Sequence, residues 1–168
     1  MEELKKFYKN KKVLITGATG FKGAWLSSWL LKLGSIVTGI GYNPNKNENL
    51  FYQLNLDRKI DLKLFDIRDI KKLSKVIKKN KPSIIFHLAA QPLIYESYKK
   101  PLLTFDINYR GTLNLMECIR NSNFVKSVVI VTSDKCYESN FSSKGFKETD
   151  MLGGVDPYSA SKSSLKLW

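Results

Sequence analysis

The chain has 168 residues, 43% of them hydrophobic, enough to bury the core of one globular domain. Two cysteines exclude a disulfide scaffold, and no apolar run approaches the roughly 20 residues that a membrane span needs. Net charge is +13, yet 24 of the 28 cationic residues are lysines scattered along the chain. With no basic patch interleaved with stacking aromatics, the charge describes a solvated surface and argues against a nucleic-acid partner.

Met1 to Lys12 is charged and shows no secretion signal. Cys118 and Cys136 have no Cys-x-x-Cys or histidine partner nearby, so reduced thiols in a cytoplasmic protein are expected, and no metal site. Lys11 to Thr16 is a β-branched and aliphatic run ending at glycine, which predicts a buried parallel strand. Gly17, Gly20 and Gly23 follow as Gly-x-x-Gly-x-x-Gly and lead into a helix expected over Ala24 to Leu33, with Trp25, Leu26, Trp29, Leu30 and Leu33 at helical spacing. A strand-to-helix turn needs only one glycine. Three at this spacing suit a dinucleotide: the first allows a tight turn, the second lets a pyrophosphate approach, and the third packs the helix on the sheet. Gly17, Gly20 and Gly23 are therefore candidate cofactor contacts.

Gly34 closes that helix, and Ser35 to Ile40 reads as the second strand. No acidic residue ends this strand, so the choice between NAD and NADP stays open. Asn45 to Asn49 is expected as a polar loop and Leu50 to Leu54 as a short helix. Leu62 to Phe65 is expected as a third strand and Asp69 to Lys79 as a helix with Ile70, Leu73, Val76 and Ile77 inward. Asp66, at the crevice end of the strand, is either a ligand contact or a helix cap. Ser83 to His87 reads as the fourth strand, running into Ala89 and Ala90, whose small side chains leave room for a flat cofactor; His87, the only histidine, suits a packed, hydrogen-bonded role.

Pro101 opens a helix expected to reach about Arg120. Asn108 and Gly111 inside it cost stability, Gly about 1 kcal/mol against Ala, which points to close packing or a site. Ser127 to Val131 is expected as the fifth strand, delivering Ser133, Asp134 and Lys135 at its carboxyl end. Tyr158 and Lys162 then fall four residues apart on one helical face, a spacing that surface residues also meet by chance. Keeping a phenol partly ionised near neutrality asks for a shift of roughly 3 units, about 4 kcal/mol. An ammonium about 4 Å away supplies about that much at an effective dielectric of ~20. The order of elements predicts an α/β, Rossmann-like, doubly wound parallel sheet.

The Thr-Gly-x-x-Gly-x-x-Gly string resembles the extended short-chain dehydrogenase/reductase family. Together with His87 to Leu93, Thr132 to Glu138 and Gly153 to Lys162, it is similar to the CDP-glucose 4,6-dehydratases within that family. The string Ser133 to Tyr137 is the most specific of these, because related dTDP-glucose and GDP-mannose dehydratases carry an acidic residue at the position of Lys135. The resemblance implies NAD as cofactor, held by Gly17, Gly20, Phe21, Gly23, Asp66, Ile67, Ala89, Ala90, Asn108, Tyr158 and Lys162. It implies a CDP-glucose substrate and a product used for surface polysaccharide. By the same resemblance Ser133 is expected to hold the sugar, Tyr158 with Lys162 to be the base for the 4-hydroxyl, Asp134 to protonate the leaving 6-hydroxyl, and Lys135 to take the C5 proton. A salt bridge between Asp134 and Lys135 is the structural alternative. The similarity runs over residues 1–168 as one incomplete cofactor domain, with the later strands and the nucleotide-binding region expected beyond Trp168. An NAD-binding module without turnover and a nucleotide-sugar epimerase remain as alternatives, and a longer version leaves a homo-oligomer open.

Overall fold

The structure, a computed structural model, describes residues 1–42, 44, 49–138 and 145–167. Its strands are β1 (Lys12–Thr16), β2 (Ile36–Gly41), β3 (Asp61–Leu64), β4 (Ile84–His87) and β5 (Ser127–Ile130). The α-helices are α1 (Glu2–Tyr8), α2 (Phe21–Lys32), α3 (Leu50–Gln53), α4 (Ile70–Asn80), α5 (Ile94–Lys99), α6 (Pro101–Phe105), α7 (Gly111–Ile119) and α8 (Pro157–Ser163). Of the expected loop over Asn45 to Asn49, only Asn49 lies within the described residues, where its side chain caps α3. No helix among the described residues is long and apolar enough to cross a membrane.

The chain divides into two compact units, Met1–Ala89 with Asn114–Ile130, and Ala90–Leu113 with Val131–Trp168. The first holds the whole sheet, five parallel strands in the order β3-β2-β1-β4-β5. Both faces of the central strands β2, β1 and β4 are buried, as a parallel sheet requires, while the edge strands β3 and β5 are partly exposed. Val13, Ile15 and Ile84 share a cluster with Ala24, Leu30 and Leu33 of α2 and Phe51 of α3, while Leu14 and Ile85, which alternation places on the other face, are fully buried. Because the order reverses between β1 and β4, their carboxyl ends form a switch point where such sheets place ligands.

Two helices depart at particular residues from the faces expected of them. In α2 the buried positions are Gly23, Ala24, Ser27 and Leu30, while Trp25 and Trp29 are about half exposed. Small residues let this helix sit close to the strands, and the bulky rings of the same turns point away. A left-handed Gly34 ends it, with Gly34 and Ser35 N–H groups bonded to the Leu31 and Leu30 carbonyls, each at 3.0 Å. In α4, Leu73 and Ile77 are buried as expected, but Ile70, the first helical residue, is 39% exposed.

In the second unit, α5 was not expected from sequence. The helix from Pro101 continues as predicted, but Asp106–Arg110 widens into a π-helical turn between α6 and α7. Such turns need a local cause. Here Asn108 is drawn out of register by its own side-chain bonds, and the Thr112 hydroxyl donates to the Asn108 carbonyl at 2.6 Å. Asp134–Cys136 forms a 3-10 turn after β5, and a bridge pairs Tyr137 with Leu152.

The inward face of α4 makes a direct prediction. Leu73→Ala should cost about 2–5 kcal/mol in urea denaturation, and Ile70→Ala no more than about 0.5 kcal/mol. Equal losses would mean that Ile70 also belongs to the core.

Candidate active site

In the first unit β1 stops at Thr16 and the chain turns at Gly17, whose φ of +71° disfavours a side chain. A Cβ there would lie 2.8 Å from both the Ala89 nitrogen and the Leu88 carbonyl carbon, so the turn rests directly on the peptide leaving β4. At Gly23 a Cβ would overlap the Gly17 carbonyl, which seats α2 on the loop. Gly20 differs: its Cβ would meet only the Gly17 oxygen, at 3.3 Å, with open space beyond. The glycines thus separate into turn, approach and packing positions.

Gly20 is also the N-cap of α2, no side-chain cap bonds that helix start among the described residues, and its first turn has no acidic residue. Free N–H groups beside open space, on the positive end of a helix, form a cradle for a phosphate group. A Cβ at Gly20 would project into that cradle, so the residues present fit a pyrophosphate. Phe21, the first residue of α2, is 72% exposed. Across the loop, bare backbone at Gly41 admits the Thr19 side chain, and Ala18 N–H bonds the Ile40 carbonyl at 3.0 Å.

Asp66 is not the cap of α4. Asp69 fills that role, accepting the Lys72 N–H at 3.0 Å. Asp66 instead accepts both arms of the Arg68 guanidinium, at 3.0 and 2.7 Å, and the Arg68 N–H at 2.9 Å. These bonds hold its carboxyl below the usual carboxylate range. Ile67 beside it is buried. His87 is buried at the end of β4, 2.6 Å from the Thr16 hydroxyl, in the packed role expected of it.

The second unit holds the acid-base residues. Asp156 caps α8, its Oδ1 accepting the Ser159 N–H at 2.9 Å and its Oδ2 the Ser159 hydroxyl at 2.6 Å, and Pro157 occupies the first turn. This start, legible as Asp-Pro, sets Tyr158 and Lys162 one turn apart. Lys162 is 5% exposed, and its ammonium donates to the Val131 carbonyl at 3.2 Å, just past β5. Tyr158 is half-buried, and its hydroxyl has no hydrogen-bond partner among the described residues.

Ser133 caps the 3-10 turn, accepting the Lys135 N–H and donating to Asp134 Oδ1, each at 3.2 Å. Asp134 and Lys135 are exposed. No ion pair joins them among the described residues. Asn108 is wholly buried: its Oδ1 accepts the Gln91 N–H at 2.8 Å, and its amide donates to the Gln91 carbonyl at 3.2 Å and Ser161 Oγ at 2.9 Å. Its side chain is a strut between α8 and the segment after Ala90, not a group turned to a ligand. Ser161, which donates to the Tyr158 carbonyl at 2.7 Å, and Gln91 were not singled out from sequence.

The parallel sheet, its switch point and the glycine cradle define a Rossmann-like fold. The chain belongs to the GDP-mannose 4,6 dehydratase family, whose model matches residues 14–167. It is 42% identical, over 97% of its length, to CDP-glucose 4,6-dehydratase of Salmonella typhimurium, and covers 45% of that enzyme. Among solved structures, UDP-glucose 4-epimerase of Thermus thermophilus in complex with NAD superposes with a TM-score of 0.79 at 28% identity, over 93% of this chain and 49% of that one. UDP-N-acetylglucosamine 4-epimerase of Methanobrevibacter ruminantium matches with a TM-score of 0.79 at 29% identity, over 95% of this chain and 49% of that one. The chain spans about half the length of these relatives.

Gly17→Ala should destabilise the chain by about 2 kcal/mol or more, from left-handed strain and overpacking, whereas Gly20→Ala should leave urea stability within about 1 kcal/mol. The reverse order would contradict the division of the glycines. For Asp66, a folded pKa held below the unfolded one stabilises the native state above the ordinary carboxylate range, and that contribution disappears as pH falls through the lowered value. Arg68→Ala should therefore cost about 1 kcal/mol or less at pH 7, the pair being partly exposed, and the gap from the parent should narrow as pH falls through the lowered Asp66 value. A gap independent of pH would show that Arg68 acts by packing alone.

Proposed function

We propose that the chain is the cofactor-binding and catalytic part of a cytoplasmic nucleotide-sugar 4,6-dehydratase that works with NAD on CDP-glucose, supplying a 4-keto-6-deoxy sugar for surface polysaccharide. The observation that carries the reading is the buried Lys162 ammonium one helical turn from Tyr158, bonded to the Val131 carbonyl in the segment that leads into Ser133, Asp134 and Lys135. Membership of the dehydratase family and the 42% identity to the Salmonella enzyme support the reaction class.

In this reading Gly17, Gly20, Phe21, Gly23, Asp66, Ile67, Ala89 and Ala90 hold the dinucleotide, and Asn108 acts indirectly by seating α8. When bound, NAD stores the hydrogen taken from C4 and returns it to C6. Ser133 donates to the sugar oxygen at C4, and Tyr158 removes the 4-hydroxyl proton, with Lys162 stabilising the phenolate. The resulting 4-ketone acidifies the C5 proton, which Lys135 takes while Asp134 protonates the departing 6-hydroxyl as water. Exposure of Asp134 and Lys135 leaves both side chains accessible to a substrate.

A second reading is a cofactor-binding unit without turnover, since the cradle at Gly20 needs none of the acid-base residues. Calorimetric titration separates the two, since such a unit binds NAD but not CDP-glucose.

In a full-length version, Tyr158→Phe should keep NAD affinity and lower turnover at least about a hundredfold, as loss of a general base implies. Unchanged turnover would sink the assignment. Lys135→Ala should accumulate the 4-keto sugar without taking solvent deuterium at C5. Product formation at the parent rate would remove Lys135 from the chemistry.

A further inference from the structure

His87 is left without a task by the reading above, yet it is 2% exposed and stands opposite Thr16 where β1 and β4 end. Its Nδ1 lies 2.6 Å from Thr16 Oγ1, and the same oxygen accepts the Ala89 N–H at 3.2 Å. Thr16 is fully buried, and its hydroxyl has a single proton to place. If Nδ1–H were the donor, that proton would have no acceptor among the described residues, a costly state for a buried group. Thr16 is therefore the donor, and His87 is neutral with its proton on Nε2.

This direction of bonding has a consequence for the loop. With the Thr16 proton committed to His87, a lone pair of the hydroxyl faces the Ala89 N–H, while the Thr16 carbonyl accepts the Leu88 N–H at 3.1 Å. The Leu88–Ala89 peptide is thereby held at both ends by one residue. It is this peptide that Gly17 rests on, with no room for a Cβ. We propose that His87 is a positioning residue for dinucleotide binding: in its Nε2–H form it orients the Thr16 hydroxyl onto Ala89 and so fixes the floor beneath the glycine turn. The inference rests on the NAD reading given above.

Because the chain has one histidine, ¹⁵N NMR of the 168-residue protein reports its tautomer without ambiguity. The expected spectrum at neutral pH has an unprotonated, pyridine-type Nδ1 and a pyrrole-type Nε2; the opposite tautomer overturns the proposal. Calorimetry with NAD should then show Kd rising about tenfold in Thr16→Val and in His87→Phe, the scale of one buried group left unpaired, and staying within about threefold in Thr16→Ser, which keeps the hydroxyl. Variants that lose unfolding midpoint but bind NAD as the parent does would show a merely structural histidine and overturn the proposal. If the parent binds no NAD while the tautomer is as expected, the cofactor reading itself has failed, and the positioning role with it. Parent binding with unchanged variants defeats the positioning role alone.

Discussion

The carboxyl ends of β1 and β4 are tied together by a contact that tolerates no side chain: the Gly17 turn lying on the Leu88–Ala89 peptide. Everything the first unit offers a ligand follows from it. Parallel pairing of Thr16 with His87 puts the two strand ends level, so the chain leaving β1 must turn at once, and only a left-handed glycine makes that turn without strain. The turn then aims the first amides of α2 into the space at Gly20, while Gly23 lets the helix close behind it. Packing here is not an accessory to binding; the same missing atoms serve both.

The second unit solves a different problem, that of keeping a cation buried one helical turn from a phenol. Taking an ammonium out of water costs several kcal/mol unless partners replace the lost hydration. The carbonyl of Val131 is one such partner for Lys162. Holding α8 in place for this purpose engages the Asp156 cap, the Ser163 hydroxyl beside the Cys136 and Gly153 carbonyls, and the Asn108 strut. The π-helical turn at Asp106–Arg110 accompanies that strut, placing a polar side chain inside the unit where an ordinary helix would want an apolar one.

Features set by neighbouring residues were legible in the sequence. The aliphatic run before Gly17, the three-residue glycine spacing and the Tyr158-Lys162 step are local, and each appears where it was expected. Features that depend on register or on distant partners were not. Helical periodicity marked α2 as amphipathic but did not show that Ala24 and Ser27 face the sheet while Trp25 and Trp29 face away, because close approach, not hydrophobicity, selects that face. Asp66 and Asp69 each had the chemistry of a cap, and the choice turns on where the first helical turn begins. The Thr16–His87 bond joins residues 71 apart in the chain, and Asn108 reaches Ser161 53 residues away, so neither partner was readable from spacing.

The central claim, that the glycine turn is built to receive a dinucleotide, is tested most directly by titrating the ¹⁵N-labelled chain with NAD and following its amide resonances. The account predicts that the largest shifts fall on Ala18 to Gly23 and on Ala89, with Asp66 and Ile67 moving in the same saturable step. Shifts confined to the lysine-rich face of α4, or absent from the glycine turn at saturation, would contradict it.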